Sequence, residues 1–183
     1  MSEVLKLRGA AAFSATRLAR LTQTVKGVLP GLKGLTAEHW YFVELNAPLV
    51  AADLERLKDL LGAYPTAKAP AGALRLVTPR LGTISPWSSK ATDIARQCGF
   101  AAVTRIERGT AFHVDAKGDF AAALPFIHDR MTESVLDGVD LAVPAGALTV
   151  IVGPSGAGKT TLADLIVGLA EPQAGELRID RKS

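Results

Sequence analysis

Thr36-Ala37-Glu38-His39-Trp40-Tyr41-Phe42-Val43-Glu44-Leu45 is dense in aromatic and β-favouring side chains, and Leu54, Leu57 and Leu61 follow it at helical spacing up to a stop at Gly62. This is a strand that feeds a helix. Upstream, Val4 to Leu7 alternates like a short strand. Ser14 then stands where a helix N-cap should be, with Phe13 placed to staple onto Leu18 and with Leu18, Leu21 and Val25 on one face. Arg17, Arg20 and Lys26 occupy the other positions of that helix and read as its solvated side.

Downstream the unit repeats. Residues 65–72 are loop-like, Leu74 to Thr78 is a strand, and Pro79 to Ser85 turns into a helix that runs to Cys98 with Gly99 beyond it. Val103 to Val114 reads as one extended strand or as a hairpin pivoting near Gly109, and Asp119 caps a short helix carrying Phe120, Leu124 and Ile127. Helices in this number can cover only one face of a sheet. The prediction for residues 1–136 is therefore an α+β domain of two ferredoxin-like halves, each contributing an open sheet under helices.

Composition narrows the function classes. Of 183 residues, 48% are hydrophobic and 21% charged, which is the balance of a folded globular chain and not of a disordered one. The net charge of +3 is spread along the sequence, so no nucleic-acid partner is expected. Cys98 has no second cysteine for a disulfide or a zinc pair, which fits a reducing cytoplasm, and its place near a helix end reads as core filling. No run approaches the ~20 apolar residues of a membrane span, so a cytoplasmic protein without a membrane partner is expected.

After Leu136 the pattern changes. Aromatic residues cease and glycine becomes denser. Ala147 to Val152 is a continuous apolar run of the kind buried on both faces. A boundary is placed there, with residues 137–183 forming an incomplete P-loop α/β segment. Gly153-Pro154-Ser155-Gly156-Ala157-Gly158-Lys159-Thr160-Thr161 then matches G-x-x-x-x-G-K-[ST] in full. Gly153, Ser155, Gly156 and Gly158 let backbone N–H groups wrap a phosphate chain. Lys159 reaches the terminal phosphates, Thr160 can ligate Mg2+, and Thr161 completes the candidate nucleotide-binding set. ATP with Mg2+ is the cofactor this loop calls for.

A second signature precedes it: Gly82-Thr83-Ile84-Ser85-Pro86-Trp87-Ser88-Ser89-Lys90-Ala91-Thr92-Asp93-Ile94, then Arg105-Ile106-Glu107-Arg108-Gly109, then His128-Asp129-Arg130-Met131-Thr132-Glu133. Ser85 or Ser88 can cap a helix whose free N–H groups attract an anion, with Trp87 and Lys90 at its mouth. A capped helix with a half-buried Trp fits the same residues.

These stretches, with Leu7-Arg8-Gly9-Ala10 and Val77-Thr78-Pro79-Arg80, resemble the N-terminal domain of the large, single-chain phosphoribosylformylglycinamidine (FGAM) synthases over residues 4–136. Leu81 departs from that family, which has proline there. The resemblance implies a duplicated small-subunit-like scaffold of a glutamine-dependent amidoligase of purine biosynthesis, whose partners are the synthetase and glutaminase domains. Ser85, Trp87, Ser88 and Lys90 are then candidate interface or anion contacts, and no catalytic residue is expected in this chain. His39, His113 and His128 are expected to be ordinary histidines.

Leu136-Asp137-Gly138-Val139-Asp140-Leu141, Val143-Pro144-Ala145-Gly146 and Leu169-Ala170-Glu171-Pro172-Gln173-Ala174-Gly175-Glu176 resemble the start of an ABC transporter ATPase over residues 136–180. No aromatic residue stands between His128 and the loop to stack on adenine, and no Walker B aspartate, Q-loop glutamine or Leu-Ser-Gly-Gly-Gln-type signature follows it. The resemblance thus implies phosphate gripping without sustained hydrolysis, and no ABC transmembrane subunit as partner. The expected whole is an FGAM synthase scaffold domain fused to a P-loop fragment, not catalytically competent alone. The alternative is an ATP-binding protein that works through the Walker A loop.

Overall fold

A computed structural model describes residues 3–66, 72–137 and 159–167. The chain divides into two compact units, residues 1–139 and 140–183. In the first unit the elements run β1 (Glu3–Ala11), α1 (Ala15–Val28), β2 (Leu32–Leu45), α2 (Ala51–Leu61), β3 (Ala73–Pro79), α3 (Pro86–Gln97), β4 (Val103–Ala116), a 3-10 turn (Phe120–Ala123), α4 (Leu124–Ile127) and β5 (Glu133–Asp137). The described element of the second unit is α5 (Lys159–Ile166).

Local chemistry sets the ends of these elements. Ser14 accepts a hydrogen bond from the Arg17 amide and caps α1, while Phe13 and Leu18 pack on the same core cluster, as the staple pattern requires. α2 stops at Gly62. Asp119 accepts from the Ala121 amide and starts the 3-10 turn that leads into α4.

The five strands form one antiparallel sheet in the order β1-β2-β4-β3-β5. Its spine is the β2–β4 pair, in register from Leu32↔Ala116 to Leu45↔Val103. Leu35, Ala37, Tyr41, Val43 and Leu45 are all odd-numbered along β2, so strand periodicity puts them on one face. That face carries two apolar clusters. One joins Val25 of α1, Leu35, Phe112, Val114, Phe120 and Ile127. The other joins Leu57 of α2, Ala95 of α3, Val43, Val103 and Ile106. Each fully buried aliphatic or aromatic side chain here contributes about 1.5–3 kcal/mol, so the helices are held where they cover the sheet.

Two expectations change, and one open alternative is decided in favour of the extended strand. The two halves do not form separate open sheets, because the β2–β4 pairing merges their strands into one. Val103–Ala116 is a single strand with no hairpin at Gly109. A Cβ there would stand 2.9 Å from the Val77 carbonyl oxygen, so this glycine serves the close approach of β3 to β4. Cys98 is exposed instead of filling core, since it is the C-cap of α3 beyond the buried Ser88, Thr92 and Ala95. β5 was not foreseen as a strand; it pairs with β3 from Pro79↔Glu133 to Arg75↔Asp137. The expected strand at 147–152 and the glycine loop at 153–158 lie outside the described residues.

Candidate functional site

The three signature stretches come together at one end of the β3–β4 region. β3 reaches β4 only from Val77↔Thr110 to Ala73↔Val114, which leaves residues 103–109 without a strand neighbour on that side among the described residues. Helix α3 takes the place of the missing strand. Thr92 Oγ1 accepts from the Ile106 amide at 2.9 Å, Ser88 Oγ donates to the Ile106 carbonyl at 2.6 Å, and Arg96 Nη2 donates to the Thr104 carbonyl at 2.9 Å. Ser88, Thr92 and Arg96 are spaced by four, so a single helix stripe satisfies the exposed edge of β4.

The Ser-Pro start of α3 is fixed in the same way. Ser85 Oγ accepts from the Ser88 amide at 2.9 Å and donates to Glu107 Oε1 at 2.8 Å. Glu107 also accepts from the Ser85 amide at 3.4 Å, from the Arg108 amide at 3.0 Å and from Arg105 Nη2 at 3.2 Å. The chain therefore supplies its own carboxylate to the N-terminus of α3, where the helix dipole favours negative charge. Arg105 Nη2 also donates to the Thr83 carbonyl, and the Arg80 amide donates to the Thr132 carbonyl, which joins the Gly82, Arg105 and His128 stretches.

Of the four candidates read from sequence here, Ser85 is the cap and Ser88 is buried against β4. Trp87 stacks on Tyr41 with ring centroids 6.0 Å apart, beneath the Arg108 guanidinium at 4.7 Å. Lys90 is exposed. The roles of Glu107 and Thr92 were missed, although both stand in the quoted stretches; a serine-capped helix followed by a strand glutamate was the available signal. In the loop motif, Lys159 opens α5 and Thr160 and Thr161 are exposed in its first turn, while Gly153, Ser155, Gly156 and Gly158 lie outside the described residues.

A second polar group lies on the sheet face opposite the apolar clusters. Glu38 Oε1 accepts from Arg8 Nε at 2.7 Å and from Trp40 Nε1 at 2.6 Å, and its Oε2 accepts from Arg8 Nη2 at 2.8 Å. His113 Nε2 is 3.5 Å from Oε1, and Lys6 Nζ lies 4.5 Å from the Trp40 ring centroid. Burial pushes the Glu38 carboxyl up. The hydrogen bonds from Arg8 and Trp40, with the Arg8 charge, outweigh burial and hold the group below the ordinary carboxylate value. On the helix-covered face, burial and the Arg108 charge push His39 down, which keeps it neutral near pH 7. Gly9 explains part of the Leu7–Ala10 stretch, because a Cβ there would meet the Tyr41 ring at 2.6 Å.

These interactions are mostly structural, and one is directly testable. Thr92→Val keeps the side-chain shape but leaves the buried Ile106 amide unpaired, so stability should fall by about 1–3 kcal/mol. Thermal melting of the variant should read this as a drop of roughly 2–4 °C per kcal/mol.

Among the described residues no group of histidine, cysteine and carboxylate side chains is arranged to hold a metal, and no helix is long and apolar enough to cross a membrane. Residues 136–183 match the family model described as ABC transporter. Residues 38–143, more than half of the chain, match the model described as formylglycinamide ribonucleotide amidotransferase N-terminal, and the chain belongs to that family.

Proposed function

We propose that residues 1–136 serve as a docking scaffold of a glutamine-dependent FGAM synthase of purine biosynthesis, receive its synthetase and glutaminase domains, and supply no catalytic group. One observation carries this reading. In the converged signature stretches, Ser85, Ser88, Thr92, Arg105 and Glu107 are engaged with one another and with β4, whereas Leu81, Ile84 and Met131 are 48%, 65% and 78% exposed. Polar groups that hold a surface in shape, next to apolar side chains turned outward, suit a protein interface better than chemistry. Ser85, Trp87 and Lys90 then act through that surface, with Ser85 and Trp87 fixing the start of α3.

The domain also reads as an internal duplication of a small-subunit-like unit. β2 and β4 are each 14 residues long and begin at Leu32 and Val103, 71 positions apart, the same offset that separates the caps Ser14 and Ser85. That offset carries the order strand, helix, strand, helix onto itself. The duplication puts β2 and β4 back to back at the centre of one sheet.

The scaffold reading is tested by surface plasmon resonance between this chain and a separately produced synthetase–glutaminase region of an FGAM synthase. Saturable binding is expected, weakened at least ~10-fold by Ile84→Asp, since a charge at an interface core is strongly disfavoured. Equal binding by Ile84→Asp and the parent chain would count against the surface named here.

A second reading, ATP phosphate binding by residues 153–161, is favoured by α5 beginning at Lys159, where a P-loop helix should begin. The first-turn Thr160 is exposed and free to meet Mg2+ in a bound nucleotide. On this reading Lys159→Ala abolishes Mg-ATP binding in isothermal titration and leaves the melting of the first unit unchanged; retained binding by the variant rejects it.

A further inference from the structure

Beside the converged signature stretches is a cleft of about 250 Å³, floored by Phe42, Leu76 and Leu136 and rimmed by Thr78, Arg80 and Arg105. It is smaller than the ~300 Å³ at which sites for whole small molecules begin, so its size suits one side chain of a polypeptide. Its polar rim is incompletely satisfied. Thr78 Oγ1 and Arg105 Nε are buried with no hydrogen-bond partner among the described residues. Arg105 is nonetheless fixed, because its Nη2 donates to the Thr83 carbonyl and to Glu107. Arg80 is exposed and makes no side-chain ion pair or hydrogen bond among the described residues.

Among the described residues the one acid lining the cleft is Glu107, whose oxygens already accept from Ser85, Arg108 and Arg105. An apolar floor therefore sits beneath two unused donors and an unpaired guanidinium. Buried donors without acceptors are costly, and a negatively charged acceptor offsets that cost best. We propose that this cleft is a subsite for an apolar side chain two positions from an aspartate or glutamate on an extended segment of the partner polypeptide, a spacing that turns both side chains to one face. The apolar side chain enters between Phe42, Leu76 and Leu136, and the carboxylate accepts from Thr78, Arg105 and Arg80. The inference rests on the scaffold reading for the source of the segment, but the recognition chemistry is testable without it.

The test is a 15N NMR titration of the full chain with the capped peptide acetyl-Ala-Leu-Ala-Asp-Ala-amide. The expected result is shifts centred on the Thr78, Arg105 and Leu136 amides. Binding should weaken at least ~10-fold with the Asn-for-Asp peptide and with Arg80→Ala, as the loss of a charge-assisted hydrogen bond requires. Equal binding of the Asp and Asn peptides, no effect of Arg80→Ala, or shifts confined to other residues would overturn the proposal. Docking of the synthetase–glutaminase region at equal strength to Arg80→Ala and parent chains would also overturn it, while leaving the scaffold reading in place. Selective peptide binding by a chain that does not dock that region would support the subsite and reject the scaffold.

Discussion

Glu38→Ala is expected to lower the stability of the first unit by about 3 kcal/mol, near the low end of the ~3–5 kcal/mol seen when one member of a buried pair is removed. The low end applies because the Arg8 side chain keeps 27% of its surface in water. The loss comes from the partners left behind. The Trp40 indole N–H and two Arg8 donors all end on this one carboxylate, and Trp40 is buried. Urea unfolding followed by tryptophan fluorescence measures the effect, and a shift of less than ~1 kcal/mol would mean that the cluster is not coupled to folding.

The same pair sets a pH dependence. Because the folded Glu38 pKa lies below its ordinary 4.5, its contribution is complete above 4.5 and is lost as pH falls through the lower folded value. The variant should lose less stability than the parent chain as pH falls below 4.5.

Phe112→Ala should be at least as damaging, at about 3–5 kcal/mol, as is usual when a buried aromatic is truncated. Phe112 is 1% exposed and lies on the spine strand β4, with its ring centroid 5.8 Å from that of Phe13. No neighbour can collapse into the space easily, since β4 is held by strands on both sides at this position. Denaturant unfolding again gives the number, and a cost under ~1.5 kcal/mol would show that α1 and the sheet are loosely packed there.

Much of this fold was legible in the sequence because its local signals are strong. Ser14, Gly62, Ser85 and Asp119 mark element ends, and the β-favouring composition of 36–45 and helical spacing along 54–61 give the right element types. Sheet order was not legible, since nothing local says that residues 32–45 pair with 103–116 across an intervening helix, strand and helix. Gly109 left two readings open for a related reason. A glycine within a strand signals either a turn or a close approach, and only the position of β3 decides between them. β5 starts at the last residue of the His128–Glu133 signature and runs to Asp137, and a short strand that depends on β3 for pairing has little pattern of its own.

At the candidate site, sequence identified the helix start but not its internal counter-charge. Ser85 was legible as a cap, whereas Glu107 reaches it from 22 positions away through the placement of α3 along the β4 edge. The glycine loop was legible as a motif, and the described residues add only the start of its helix. Of the readings open for residues 82–94, the described geometry has the capped helix with a half-buried Trp87, and Glu107 stands at its start.

The most direct test of the scaffold account is turnover, assayed as glutamine-dependent formation of formylglycinamidine ribonucleotide with ATP. The purified chain alone should give no product, and adding it to a synthetase–glutaminase region that lacks its own N-terminal domain should raise that region's activity. Product formed by the chain alone, or no change when it is added, would contradict the account.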